Sequence, residues 1–255
     1  MNSMRIKTGL CSVTFRKLSV AEIVELCKKL GIEGIEWGGD VHVPPGSPPE
    51  QVAEVVELCR EAGIEIPSYG SYFDASEHTE KDFAPVLETA VRLGAGTIRI
   101  WPGWVEPKDL TDEQFSRIAS TARDAAEMAS KENVRVAFEY HLDTPTEGAR
   151  RVLKILEAAG HPNLYSYYQF LEPYDIETNV RNLELIAPRM TYVHCHYYEQ
   201  EKPLALAEGT AMWSAICGGL KKINYDGFIF MEFVKGGTAR QLAEDVAVLR
   251  DLLKG

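Results

Sequence analysis

No run of about 18 consecutive apolar residues, the length that a membrane-spanning helix requires, occurs in this 255-residue sequence. Its opening, MNSMRIKTGL, lacks the apolar stretch of a secretory leader. These absences predict a soluble, cytoplasmic protein with no membrane partner. Cysteine is scarce: Cys11, Cys27, Cys59, Cys195 and Cys217 form no CxxC pair, which argues against a disulfide framework and a zinc knuckle. Cys27 and Cys59 fall in helix-period segments and are expected in the core. Positive charge is in deficit, with 27 Lys and Arg against 38 Asp and Glu. The resulting net charge of −11 disfavours a nucleic-acid partner, because phosphate backbones are held mainly by Lys and Arg. A small polar substrate fits better. No Gly/Ser/Pro-rich linker or charge run interrupts the chain, so one domain over residues 1–255 is expected.

What the sequence does hold is a regular alternation of β-type runs and helix-period segments. The expected strands are Ile6–Leu10, Gly34–Trp37, Glu65–Tyr69, Thr97–Trp101, Val134–Glu139, Leu164–Gln169, Met190–His196 and Phe228–Phe233. Between them, apolar residues three and four apart predict helices over Ser19–Leu30, Pro48–Ala62, Glu80–Leu93, Thr111–Lys131, Pro145–Ala159, Ile176–Ile186, Met212–Lys222 and Ala239–Leu253. Ser19 with Glu22, and Thr111 with Gln114, have the spacing of capping boxes, and Gly31, Gly63, Gly94 and Gly160 follow helix ends. Neither GxGxxG nor GxxxxGK[ST] follows a strand, which removes the familiar nucleotide-binding open sheets. The fold class is therefore α/β, a parallel eight-stranded (β/α)8 TIM barrel, for which about 250 residues are typical.

In such barrels the loops after the strands carry the active site. The strand ends here are polar. The second supplies Glu36 and Trp37 and runs into GGDVHVPPG with His42; the third supplies Tyr69, Ser71 and Tyr72; the fourth Arg99 and Trp101 in RIWPGW. The fifth ends in FEYH, with Glu139 and His141 two apart on one face; the sixth in YYQ, the seventh in HCH and the eighth in MEF. Glu139, Gln169, His196 and Glu232 come from four consecutive strands and should converge. Two carboxylates, an imidazole and an amide oxygen suit a divalent cation, Mn²⁺ first, with Mg²⁺, Co²⁺ or Zn²⁺ as alternatives; the lack of thiolates argues against structural zinc. Chelated hydroxyl and keto oxygens would stabilise an enediolate, with Glu139 and Glu232 as catalytic base and acid. Alternation puts His194 and His196 on the same face, so either can bind metal while the other packs or meets substrate. Arg99 can meet substrate or pair internally with Glu36 or Glu139. Glu36, His42, Tyr69, Trp101 and His141 complete the candidate substrate contacts from this reading, and Trp37, Trp101, Trp104, Phe15 and Tyr72 are candidates for an apolar wall. His78 and His161 read as structural.

These residues resemble the xylose isomerase-like barrel superfamily, which includes hydroxypyruvate isomerase, ketose 3-epimerases, inosose dehydratase and, more distantly, endonuclease IV. The resemblance covers nearly the whole chain and is carried by GLCSVTF, GIEGIEWGGDVHVPPG, RIWPG, FEYH, VHCHYYE and MEF. It implies Glu139, His196 and Glu232 as metal ligands, the two glutamates exchanging protons with substrate. The sixth strand departs from the pattern: an Asp followed three residues later by a His is usual, and here Gln169 and Glu172 stand there. With Gln in place of Asp the cation and two carboxylates sum to zero charge, which weakens metal binding but sharpens Lewis acidity. Lys202 stands where those enzymes place a basic substrate contact. The resemblance implies a sugar isomerase or epimerase acting on a small ketose, hydroxy-keto acid or polyol ketone, in a homodimer or tetramer. A dehydratase of the same barrel is the alternative, favoured if His141 or Glu172 lies near a leaving hydroxyl. A non-enzymatic sugar-binding subunit and an endonuclease IV-like phosphodiesterase stand behind it, the latter opposed by the negative charge and the few histidines.

Overall fold

Every one of the eight expected strands finds a parallel partner on each side, and the sheet closes on itself. The computed structural model, which describes residues 5–254, has β1 (Lys7–Cys11), β2 (Gly34–Gly38), β3 (Glu65–Asp74), β4 (Thr97–Trp101), β5 (Arg135–Phe138), β6 (Leu164–Tyr168), β7 (Met190–Cys195) and β8 (Phe228–Met231). They pair in chain order, and β8 returns to β1 through Lys7↔Phe228 and Leu10↔Met231, leaving no open edge. Around them lie α1 (Val20–Leu30), α2 (Pro49–Ala62), α3 (Glu80–Leu93), α4 (Asp112–Ser130), α5 (Ala149–Ala159), α6 (Ile176–Ile186), α7 (Thr210–Lys222) and α8 (Ala239–Lys254).

Local chemistry sets these boundaries. Ser19 and Thr111 close reciprocal capping boxes with Glu22 and Gln114, and α1, α2, α3 and α5 stop at glycines with φ between 60° and 70°. Each helix buries one stripe against the sheet; α1, for example, buries Ile23, Val24 and Cys27. Burying such a side chain stabilises by roughly 1.5–3 kcal/mol. Inside the barrel, Phe228 and Phe230 stack with centroids 5.5 Å apart. Gly9 and Gly34 make room for them, since an added Cβ would lie 2.3 Å from Phe230 and 2.4 Å from Phe228. All five cysteines are buried with free thiols, Cys11 and Cys195 in barrel strands and the others in α1, α2 and α7. No helix among the described residues is long and apolar enough to cross a membrane.

Three departures from the sequence reading shape the functional end. Strand β3 runs on to Asp74, which pairs with Trp101 after a register shift. Helix α5 begins at Ala149 rather than Pro145, because Thr144 and Thr146 turn their hydroxyls back onto the His141 and Glu139 carbonyls, at 2.8 and 2.6 Å. Beyond β7, Tyr198–Glu199 and Lys202–Pro203 form an antiparallel hairpin that the pattern did not announce.

Candidate active site

Glu139, Gln169, His196 and Glu232 are each the first residue beyond the end of β5, β6, β7 and β8. Leaving the pleat at the same level, they line one cavity of about 480 Å³ at the carboxyl end of the barrel. Glu139, Gln169 and Glu232 are buried, and His196 nearly so, with an 11% exposed side chain. Gln169 Oε1 and His196 Nδ1 have no hydrogen-bond partner. An orphaned buried polar atom is costly in a folded protein, and beside two carboxylates these side chains have the donor types that could hold a cation.

One level deeper, facing the same axis, lies a layer of charge. Arg99 donates from Nε to Glu36 Oε1 at 3.0 Å and from Nη1 to Glu139 Oε2 at 2.5 Å. His194 sets Nε2 3.3 Å from Glu36 Oε1 and Nδ1 3.4 Å from both Glu139 Oε1 and Glu232 Oε2. Both imidazole nitrogens thus see only carboxylates. Burial opposes charge on His194, but Glu232, Glu139 and Glu36 together raise its pKa well above the ordinary value, so it stands as an imidazolium. Burial likewise pushes Glu232 upward, yet the His194 charge and the His196 contact prevail and hold it down at about 2. Glu36 is also lowered: burial is outweighed by Arg99 and His194, with Tyr167 donating to Oε2 at 2.6 Å and Ser68 at 2.9 Å. Cys11 donates to Glu36 as well, at 3.3 Å, and burial beside Glu36 keeps its thiol protonated. Cys11, Glu36 and His194 have donor atoms within 4.8 Å of one another, the spacing of a metal cluster. Arg99 and these hydrogen bonds already fill that position.

The cavity mouth is aromatic and acidic. Trp101 stacks on Trp104 at 4.2 Å and on Tyr72 at 6.2 Å, while His141 tilts against Trp101 at 5.4 Å. Trp104 is aimed by Gly103, whose φ of +103° and 2.6 Å virtual Cβ distance to Ser76 Oγ leave room only for glycine. Phe233 also lines the cavity in the left-handed region, at φ 49°, its N–H donated to Thr14 Oγ1 at 3.2 Å. A bulky residue there is strained, and such strain gathers at functional sites. Asp143, Glu172 and Glu201 supply negative charge at the rim.

The structure draws Glu139, Gln169, Arg99, Trp101, His141, Glu172, His196 and Glu232 to the cavity wall and places the other candidates elsewhere. Glu36 and His194 lie one layer beneath it, fully buried, with their polar atoms turned to each other and to neighbouring side chains. His42 packs against Trp37, donates to Leu18 O at 3.1 Å and sits 2.9 Å from Ser12 Oγ. Tyr69 is fully buried and donates to Val43 O at 2.7 Å. Both are loop braces outside the lining. Trp37 and Phe15 are core, not cavity wall. Lys202 is exposed on the hairpin and does not line the cavity. Glu172 does, but its carboxylate is engaged by the backbone N–H groups of Gln200 and Glu201, whose φ values of 52° and 60° form the hairpin turn. Sequence reasoning passed over Tyr167, Ser68 and Cys11, which read as ordinary strand residues, and the rim residues Phe170, Tyr198 and Phe233.

A family model described as xylose isomerase-like TIM barrel matches residues 24–252. A 3-dehydroshikimate dehydratase of Bacillus anthracis is 23% identical over 244 residues, which cover 88% of this chain and 86% of that protein. The solved structure of a probable 3-DHS dehydratase, AsbF, from Bacillus anthracis superposes with a TM-score of 0.82 at 20% identity, over 96% of this chain and 99% of that one. The E. coli 3-keto-D-glucoside 4-epimerase YcjR gives a TM-score of 0.79 at 15% identity, over 97% of this chain and 100% of that one. At these identities the superpositions show a common fold.

Proposed function

The chain belongs to the xylose isomerase-like TIM barrel family, and from its site we propose a divalent-metal-dependent isomerase or epimerase that moves a proton beside the carbonyl of a small ketose, hydroxy-keto acid or polyol ketone. One observation carries this reading: Glu139 and Glu232, buried in a single cavity, each lie 3.4 Å from the same nitrogen of His194. Two carboxylates on one substrate site are what a proton exchange requires.

Glu232, held at about 2, is ionised at neutral pH and starts as the base. Glu139 is the second carboxylate of the exchange, its rotamer fixed by Arg99 on Oε2 and its backbone by Thr146. The His194 imidazolium and the Arg99 guanidinium offset negative charge as it accumulates. Glu139, Gln169, His196 and Glu232 fit a Mn²⁺ ion, or Mg²⁺, Co²⁺ or Zn²⁺, because Gln169 presents a buried oxygen without a protein partner and His196 Nδ1 has only a 3.5 Å contact with Glu232. When bound, such an ion would polarise the substrate oxygens as a Lewis acid. Five free, buried thiols suit a reducing cytoplasm, where we place the protein.

A dehydratase is the second reading, supported by His141 in the cavity wall. Its Nδ1 donates to Leu142 O at 2.6 Å, which leaves Nε2 as the ring nitrogen available to a substrate. The experiment is deuterium incorporation followed by NMR across ketoses, keto acids and inososes with Mn²⁺, for the wild type and for Glu139→Gln and Glu232→Gln. Exchange at one carbon, lowered at least 100-fold in both variants, is expected, since acid–base groups contribute about 10²–10⁴. An absorbing enone product would mark the dehydratase. Exchange with no substrate, or exchange untouched by both substitutions, refutes the reading.

A further inference from the structure

Six large hydrophobic residues are exposed among the described residues, and three of them, Tyr72, Trp104 and Phe233, line this one cavity. Surface Trp and Phe are ordinary when scattered, but a cluster at a cavity rim marks a binding surface. The rings form a tier. Arg99 lies 5.7 Å from the Trp101 ring, Trp101 stacks on Tyr72 and Trp104, and Trp104 is 60% exposed at the outer end. The tier therefore runs from Arg99, beside the carboxylates, out to the solvent edge, along a cavity whose volume of about 480 Å³ lies in the range that takes drug-sized ligands. Charge narrows the occupant further. Asp143, Glu172 and Glu201 stand at the rim, and Arg99, the lining residue with a permanent positive charge, is already bound by Glu36 and Glu139. No protein cation among the lining residues is left free to meet a phosphate or carboxylate on the outer part of a substrate.

We propose that the substrate is an uncharged two-ring keto-glycoside, the ring that carries the ketone at Glu139 and Glu232 and the second ring laid flat against Trp104. This deepens the proposed function and rests on it for which ring reacts. Trp104 is then a specificity-determining residue: a flat C–H or π face stacks on indole without needing any hydrogen bond. Trp104 meets Trp101 and His141 at the rim and is 60% exposed, so its removal leaves the barrel core unchanged.

The test is equilibrium binding by calorimetry, in the presence of Mn²⁺, of methyl glycosides, phenyl glycosides, disaccharides and 6-phosphates of glucose, galactose, mannose and their 3-keto forms. For at least one sugar, a second ring should tighten binding by about 3- to 10-fold over the methyl glycoside. Trp104→Ala should remove that gain, weakening two-ring glycosides more than the methyl glycoside, and Trp104→Phe should restore part of it. A gain confined to phenyl glycosides identifies an aromatic second ring, and a gain confined to disaccharides a sugar. Equal affinity for one and two rings throughout, a gain that survives Trp104→Ala, or a 6-phosphate that binds more tightly than its parent overturns the proposal. Binding requires no turnover, so a failed deuterium exchange with an intact ring preference would sink the proton-transfer reading alone.

Discussion

Arg99→Met tests the charge layer beneath the cavity most directly. Arg99 is 2% exposed and bridges Glu36, at 0%, to Glu139, at 2%. Methionine keeps much of the volume and removes the charge, which leaves three buried glutamates with only His194 to offset them. Removing one partner of a buried ion pair costs about 3–5 kcal/mol, and in a chain of this size each kcal/mol lowers the melting temperature by about 2–4 °C. The expected loss at neutral pH, measured by calorimetry in a chelator so that no metal substitutes for the guanidinium, is therefore roughly 6–20 °C. The loss should also depend on pH. Arg99 helps to hold the Glu36 carboxyl below its unfolded value, so the stability this lends is present above that value and fades as the pH falls through the lowered one. The deficit should thus be smaller at about pH 3 than at about pH 7. Arg99→Lys should fall between, because one ammonium cannot span both carboxylates as a guanidinium does. A loss below about 3 °C, or one equal at the two pH values, would refute the view that Arg99 neutralises this layer.

Mn²⁺ at about 100 times its dissociation constant should stabilise wild type by about 2.7 kcal/mol, or roughly 5–10 °C, and leave a Glu139→Ala, Glu232→Ala double variant unmoved; equal shifts in both would sink the assigned ligands. In metal-free protein the lowered Glu232 value means a contribution that is present above about pH 4.5 and fades as the pH falls toward 2. Melting temperatures should decline across that window and decline less in Glu232→Gln, whereas an identical acid limb would contradict the assignment. Glu172→Ala frees the two amides that it holds in the hairpin turn, so hydrogen exchange at Gln200 and Glu201 should accelerate by at least about tenfold. Unchanged protection there would show that another contact keeps the turn.

The barrel was legible because alternation and helix period are local properties. Ile176–Ile186, Thr97–Trp101 and Glu80–Leu93 fall where the pattern places them. The cavity-lining residues were legible for a related reason: the residue just past a buried strand is the first that need not be apolar, and Glu139, Gln169, His196 and Glu232 all hold that position. Depth was not legible. Alternation puts His194 and His196 on one face, but two residues along a strand is roughly 6.6 Å, which separates a cavity wall from the layer beneath it. The same blindness put Glu36 among the substrate contacts, since its five donors come from strands far apart in the chain. The hairpin escaped because Gln200 and Glu201, not glycine or asparagine, occupy its left-handed positions, stabilised by a carboxylate 28 and 29 residues away. Likewise Pro145 is a good first-turn residue, and nothing local shows that Thr144 and Thr146 are bound to the preceding carbonyls instead.

The five buried thiols have a practical consequence. Burial holds every one of them protonated, with Cys59 and Cys217 pushed up to about 11 and Cys11, Cys27 and Cys195 raised as well. A thiol reagent must therefore wait until the covering structure opens. Cys11 and Cys195 report on the barrel wall, and Cys27, Cys59 and Cys217 on three separate helices of the ring, so labelling rates read by mass spectrometry time the opening of each part of the molecule without any inserted probe.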